Sequence, residues 1–139
     1  MLEIKRINDQ VSVAGQITSA DVPALKEAGF TTIINNRPDA ESPEQPSGGE
    51  IAAAAQAAGL AYHHIPLGRE GVSPEMVEKT RAVLEHSNGA VLAYCRSGTR
   101  STTLWALSQA GTMPAREIIA AAASAGYDIS HLSGHLGEK

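Results

Sequence analysis

The chain has 139 residues, 42% apolar and 19% charged, the balance of one folded domain rather than of a disordered or membrane-embedded chain. Eleven Lys and Arg against fifteen Asp and Glu give a net charge of −4 without a basic run, which argues against a broad nucleic-acid footprint. The single cysteine, Cys95, excludes an internal disulfide framework and a multi-cysteine metal cluster, and no stretch approaches the roughly 20 apolar residues a bilayer span requires.

The opening MLEIKRINDQ lacks the apolar core of a signal peptide, so the expectation is a cytoplasmic domain with a reduced thiol, partnered by neither nucleic acid nor membrane. A short apolar run from Val11 to Ile17 reads as the first strand. Val22, Leu25 and Ala28 follow at helical spacing behind Ser19 and Asp21, with Gly29 as a stop, which predicts a helix over 21–28. Thr31 to Asn35 is a β-branched run of buried-strand length. Arg37 to Gly49 contains Pro38, Pro43 and Pro46 and no period; loops of that length are functional or mobile. Glu50 to Ala58 is an alanine-rich helix ending at Gly59, and Ala61 to Ile65 a strand closed by Pro66. Pro74, behind Ser73, opens the clearest helix, with Met76, Val77, Thr80, Val83 and Leu84 on one face as far as Asn88-Gly89. Ala90 to Tyr94 is nearly all apolar, which suits a central parallel strand covered on both faces. Helices are then expected over 101–110 and 114–125. This alternation predicts a single α/β domain over 1–139, with a mainly parallel central sheet and helices on both faces.

The chemistry concentrates in Cys95-Arg-Ser-Gly-Thr-Arg-Ser101. A buried strand delivers Cys95 to its C-terminal end, the edge of an open α/β sheet where ligands bind. A loop of backbone N–H groups and the positive end of the next helix form an anion-binding cradle from Arg96, Ser97, Gly98, Thr99, Arg100 and Ser101. The same field favours the thiolate, which is the nucleophilic form. Arg100 is expected to hold an oxyanion bidentately and Arg96 to stand at the rim. Gly98 is expected to supply a positive φ. Ser101 is expected either to hydrogen-bond the thiolate or to cap the helix.

Cys95 to Ser101 resembles the active-site loop of two groups of thiolate enzymes, the cysteine-dependent phosphatases and the rhodanese sulfurtransferases. With Ile33-Ile-Asn-Asn-Arg-Pro-Asp39 upstream and Leu104-Trp105 downstream, nearly the whole chain resembles the phosphatase-like domain family of β-lactamase-hydrolase-like proteins. That resemblance implies a protein-tyrosine-phosphatase-type fold; no cofactor is expected. It also implies, for some members, fusion to or work beside a metallo-β-lactamase-fold persulfide dioxygenase in sulfide detoxification. Members are described both as phosphatases and as sulfurtransferases.

Two departures from the phosphatase pattern favour sulfur. The phosphatase signature places five residues between Cys and Arg, whereas four separate Cys95 from Arg100 here, a smaller cradle. Phosphatases of this fold also use an Asp acid on the loop that here reads Leu67-Gly-Arg-Glu-Gly71, which offers Glu70 instead. Sulfur transfer from thiosulfate or a persulfide needs no such acid. The sequence therefore leads to the expectation that Cys95 takes a sulfane sulfur, carries it as a persulfide and passes it to a thiol such as glutathione. The alternative is phosphoester hydrolysis through a phosphocysteine, with Glu70 or Asp39 as general acid. A third reading is a non-catalytic oxyanion-binding or redox-sensing module, weakened by the lack of a second cysteine.

Elsewhere, Arg37 is expected to pair with Asp39 or Glu41 to order its loop. His63 and His64 alternate across a strand, so one of them is expected to pack and no shared metal is implied. His131 and His135 have i,i+4 spacing but too few companions for a zinc site, so no metal is expected. Leu104 and Trp105 read as core.

Overall fold

The computed structural model describes residues 2–136. Its strands are β1 (Ile4–Arg6), β2 (Val11–Ala14), β3 (Phe30–Asn35), β4 (Ala61–His64) and β5 (Ala90–Tyr94). Its α-helices are α1 (Val22–Glu27), α2 (Gly48–Ala58), α3 (Pro74–His86), α4 (Thr99–Ser108) and α5 (Ala115–Ser124). The strands make one sheet in the order β1-β2-β5-β3-β4, with β2, β5, β3 and β4 parallel and β1 antiparallel to β2.

The two faces of the sheet are apolar for different partners. Leu84, Leu104, Trp105 and Ile118 from α3, α4 and α5 pack on Val11, Val13, Ile34, Val91 and Ala93. On the other face Val22, Leu25, Ile51 and Ala55 from α1 and α2 pack on Ala14, Ile33, Leu92 and Tyr94. Alternate β5 side chains thus enter opposite cores, which is why this strand reads as an unbroken apolar run.

Local chemistry sets the helix starts. In α2 the Ser47 hydroxyl accepts from the Glu50 amide while the Glu50 carboxylate accepts from the Ser47 amide, so the helix begins at Gly48, ahead of the expected Glu50. In α3 the Ser73 hydroxyl accepts from the Met76 amide and Pro74 fills the first turn. Helix α4 begins at Thr99 rather than Ser101, because Gly98 takes the cap position.

Other expectations are corrected at the edges. Strand β1 carries no sequence signal: its three residues are mostly exposed, Ile4 at 39%, and their pairing with β2 makes the strand. Because β4 lies at the opposite edge, His63 and His64 are both exposed and neither packs in the core. His131 and His135 lie in a 3₁₀ turn, Ser130–His135, where i,i+4 spacing does not align side chains on one face. No α-helix of the described residues is long and apolar enough to cross a membrane.

Candidate active site

The C-terminal ends of the four parallel strands bring four loops together. β2 leads into Gly15 and Gln16, β3 into Asn36 to Glu41, β4 into Ile65 to Glu70, and β5 into Cys95. The side chain of Cys95 is only 1% exposed, and the Gly98 amide donates to its Sγ at 3.1 Å. Gly98 has a φ of +93° and forms the N-cap of α4. Among the described residues, the amides of Arg96, Ser97, Thr99, Arg100 and Ser101 have no protein acceptor, so the loop and the first turn of α4 that flank Gly98 carry unpaired N–H groups. Ser101 stands inside the first turn, not at its cap. Its buried hydroxyl has no hydrogen-bond partner among the described residues.

Arg100 is the best-held polar side chain of the site. Its Nη1 donates to Glu41 Oε2 at 2.7 Å and to the Leu67 carbonyl at 2.8 Å, and its Nη2 donates to Glu41 Oε1 at 2.8 Å. These bonds use three of its five N–H groups. The two that remain, on Nε and Nη2, share one edge of the guanidinium, the fork that matches two oxygens of an oxyanion. The Glu41 carboxylate raises the Arg100 pKa most, with the charge and sulfur of Cys95 adding to it against desolvation.

Glu41 joins two arginines. Arg37, 5% exposed, donates from Nε to Glu41 Oε1 at 2.9 Å and from Nη1 to Gln16 Oε1 at 2.9 Å. The Arg100 hydrogen bonds first, with Arg37 adding, hold the Glu41 carboxyl at about 2 against the 4.5 of an ordinary glutamate, overriding desolvation. The expected Arg37–Glu41 pair is therefore present, but its link to Arg100 spans 59 residues and left no local signal.

Glu70, Arg69 and Arg96 line a cleft of about 730 Å³ together with Arg100, Glu41 and Met76. The Nη1 bond to the Leu67 carbonyl ties the loop carrying Glu70 to the loop carrying Cys95. Asp39 does not line this cleft, although its neighbours Pro38 and Ala40 do. Its Oδ1 accepts from the Gly48 amide at 2.7 Å, at the N-terminus of α2. The Ser97 and Thr99 hydroxyls are 3.2 Å apart on the exposed side of the loop. A residue missed by sequence reasoning closes the other side: the Tyr127 hydroxyl donates to the Ser97 carbonyl at 2.9 Å. A second cleft of about 850 Å³, lined by β4, α3 and His86, contains none of these groups.

Comparison with known proteins bears on the family and the fold. A family model described as the phosphatase-like domain of beta-lactamase hydrolase-like protein matches residues 3–112. A beta-lactamase hydrolase-like protein of Agrobacterium fabrum is 39% identical over 105 residues, 76% of this chain and 24% of that protein. The chain spans about a quarter to a third of the length of the curated relatives it matches. A candidate phosphatase of Neisseria meningitidis, known from its crystal structure, superposes with a TM-score of 0.82 at 34% identity, covering 96% of this chain and 95% of that one. The active form of Tk-PTP superposes with a TM-score of 0.74 at 16% identity over 96% of this chain and 92% of that one, a likeness of fold. The fold is of the protein-tyrosine-phosphatase type.

Proposed function

Because the chain belongs to the family of phosphatase-like domains of beta-lactamase hydrolase-like proteins, we propose that it hydrolyses phosphomonoesters through a phosphocysteine at Cys95. The observation that carries this reading is the state of Arg100: Glu41 and Leu67 occupy three of its donors and leave a planar two-donor edge, and Cys95 is among the groups that act on its guanidinium. In the first step the Cys95 thiolate attacks phosphorus, the P–O bond to the leaving group breaks, and Glu70 in its acid form protonates the departing oxygen. The Arg100 fork and the unpaired amides bind the equatorial oxygens, where charge is stabilised in the transition state. In the second step Glu70, now a carboxylate, takes a proton from water as that water attacks the phosphocysteine, which releases phosphate and restores the thiolate.

The comparisons support a phosphatase-like reading and give no support to sulfur transfer, to a sulfur donor or to a persulfide dioxygenase partner. The two departures behind the sulfur expectation also weigh less against the geometry. The short loop still leaves Arg100 with two donors that Glu41 and Leu67 do not use, and Glu70 lines the same cleft as Arg100.

The test compares phenyl phosphate with thiosulfate, followed by mass spectrometry of the trapped intermediate. A phosphoryl group on Cys95, no turnover by Cys95→Ser, and a fall of about a hundredfold to ten-thousandfold in kcat for Glu70→Gln are expected. Faster turnover of thiosulfate, an added sulfur on Cys95 and indifference to Glu70→Gln would restore the sulfurtransferase reading.

A further inference from the structure

We propose that Tyr127 is a positioning residue that keeps the Ser97–Gly98 peptide turned with its N–H toward the Cys95 sulfur. The proposal rests on the reading of Cys95 as a thiolate nucleophile. Its geometry lies in a single peptide unit. The Ser97 carbonyl accepts from the Tyr127 hydroxyl at 2.9 Å, and the Gly98 amide donates to Cys95 Sγ at 3.1 Å. In a planar trans peptide the C=O and N–H point in opposite directions, so a bond that fixes one end aims the other.

This peptide needs such a hold. Glycine adopts φ of either sign at little cost, so the unit preceding Gly98 can turn over more easily than one preceding any other residue. Turned over, it would present the Ser97 carbonyl oxygen to the thiolate and withdraw the one amide that reaches it. Among the described residues no other donor reaches the Ser97 carbonyl, so the Tyr127 hydroxyl is its only partner. The two residues also fit each other sterically. A Cβ on residue 98 would lie 2.2 Å from the Tyr127 hydroxyl, so the phenol occupies the space that glycine leaves free.

Tyr127 is itself fixed. Its amide donates to the Ala122 carbonyl at 2.9 Å at the end of α5, and the Lys5 ammonium from β1 stands 5.7 Å from its ring centre. Burial first, then the charges of Cys95 and Glu3, push the phenol upward, so it remains a protonated donor. It lies beyond the 3–112 stretch that the family model matches.

The experiment uses the full chain and its one cysteine, so that alkylation by iodoacetamide reports on Cys95 alone. Tyr127→Phe removes the hydroxyl and keeps the ring, leaving Lys5, Glu3 and Arg100, the charged groups facing Tyr127 and Cys95, in place. The expected result is an alkylation rate at about pH 6, relative to that at about pH 9.5, three- to tenfold lower than in the unsubstituted chain, because the thiolate loses an oriented donor. The kcat for phenyl phosphate should fall by a similar factor with KM nearly unchanged. An unchanged alkylation ratio in a variant with native near-ultraviolet circular dichroism and thermal midpoint overturns the proposal. If the Phe variant does not fold, Tyr127→Leu is read in the same way. Absence of phosphatase turnover in the unsubstituted chain would remove the phosphatase reading, while the alkylation ratio would still decide the role of Tyr127.

Discussion

At the scale of single residues, the site is organised by how donors and acceptors are counted. Arg100 has five donors and Glu41 two oxygens; the carboxylate accepts from both Nη atoms of Arg100 and from Nε of the buried Arg37. An amide in its place has one oxygen and turns an NH2 toward a guanidinium. Glu41→Gln should therefore lower kcat/KM for phenyl phosphate about ten- to hundredfold, since Arg100 loses the partner that orients its fork. The same substitution has a signature in stability. Folding holds Glu41 at about 2 against 4.5 for an ordinary glutamate, so its carboxylate stabilises the fold fully above about 4.5 and progressively less as pH falls toward 2. In urea unfolding, the advantage of the unsubstituted chain over Glu41→Gln should be constant at neutral pH and shrink through that acid window. An advantage that does not change with pH would mean that the ion pairs contribute nothing to the fold.

Elements place these residues, and they differ in how far their own sequence announces them. Strand β5 is evident because both its faces are covered, and α3 because its apolar stripe faces one core. The loop from Cys95 to Ser101 is evident because a thiol, a glycine and an arginine follow a buried strand directly. What stays hidden is whatever depends on a partner outside its own segment: β1 has no apolar pattern of its own and exists through its pairing with the neighbouring β2, Glu41 reaches an arginine 59 residues away, and Tyr127 reaches a carbonyl 30 residues away. Asp39 reads as a rim acid, yet it caps α2, because the Gly48 amide nine residues on needs an acceptor. The β2 end adds a contact of the same hidden kind. A Cβ on residue 15 would lie 2.8 Å from the Arg96 carbonyl oxygen, so Gly15 lets the end of β2 run against the Cys95 loop. Gly15→Ala must push that backbone away from its neighbour. The expected outcome is at least a tenfold loss of kcat/KM with the β-sheet circular dichroism retained. Full activity in that variant would show that the loop shifts without consequence for the chemistry.

Across the whole molecule, the field at the cleft opposes the net charge. The chain carries −4, yet the cleft brings Arg69, Arg96 and Arg100 together with Glu70 and with Glu41, whose charge is shared by Arg37 and Arg100. A phosphomonoester dianion is thus repelled at long range and attracted close to the mouth. Fields from the mouth act within a Debye length, about 10 Å at 0.1 M salt, so added salt weakens both effects. If the mouth dominates, kcat/KM for phenyl phosphate should fall about two- to fivefold as ionic strength rises from about 0.02 to about 0.3 M. Alkylation by neutral iodoacetamide should stay nearly flat over the same range. Replacing both exposed arginines, Arg69→Ala with Arg96→Ala, removes the local attraction and makes the net charge more negative by two, so the salt dependence should vanish or change sign. A specificity constant that rises with salt in the unsubstituted chain would show that the overall negative charge governs encounter and that the arginines at the mouth act only after the substrate has arrived.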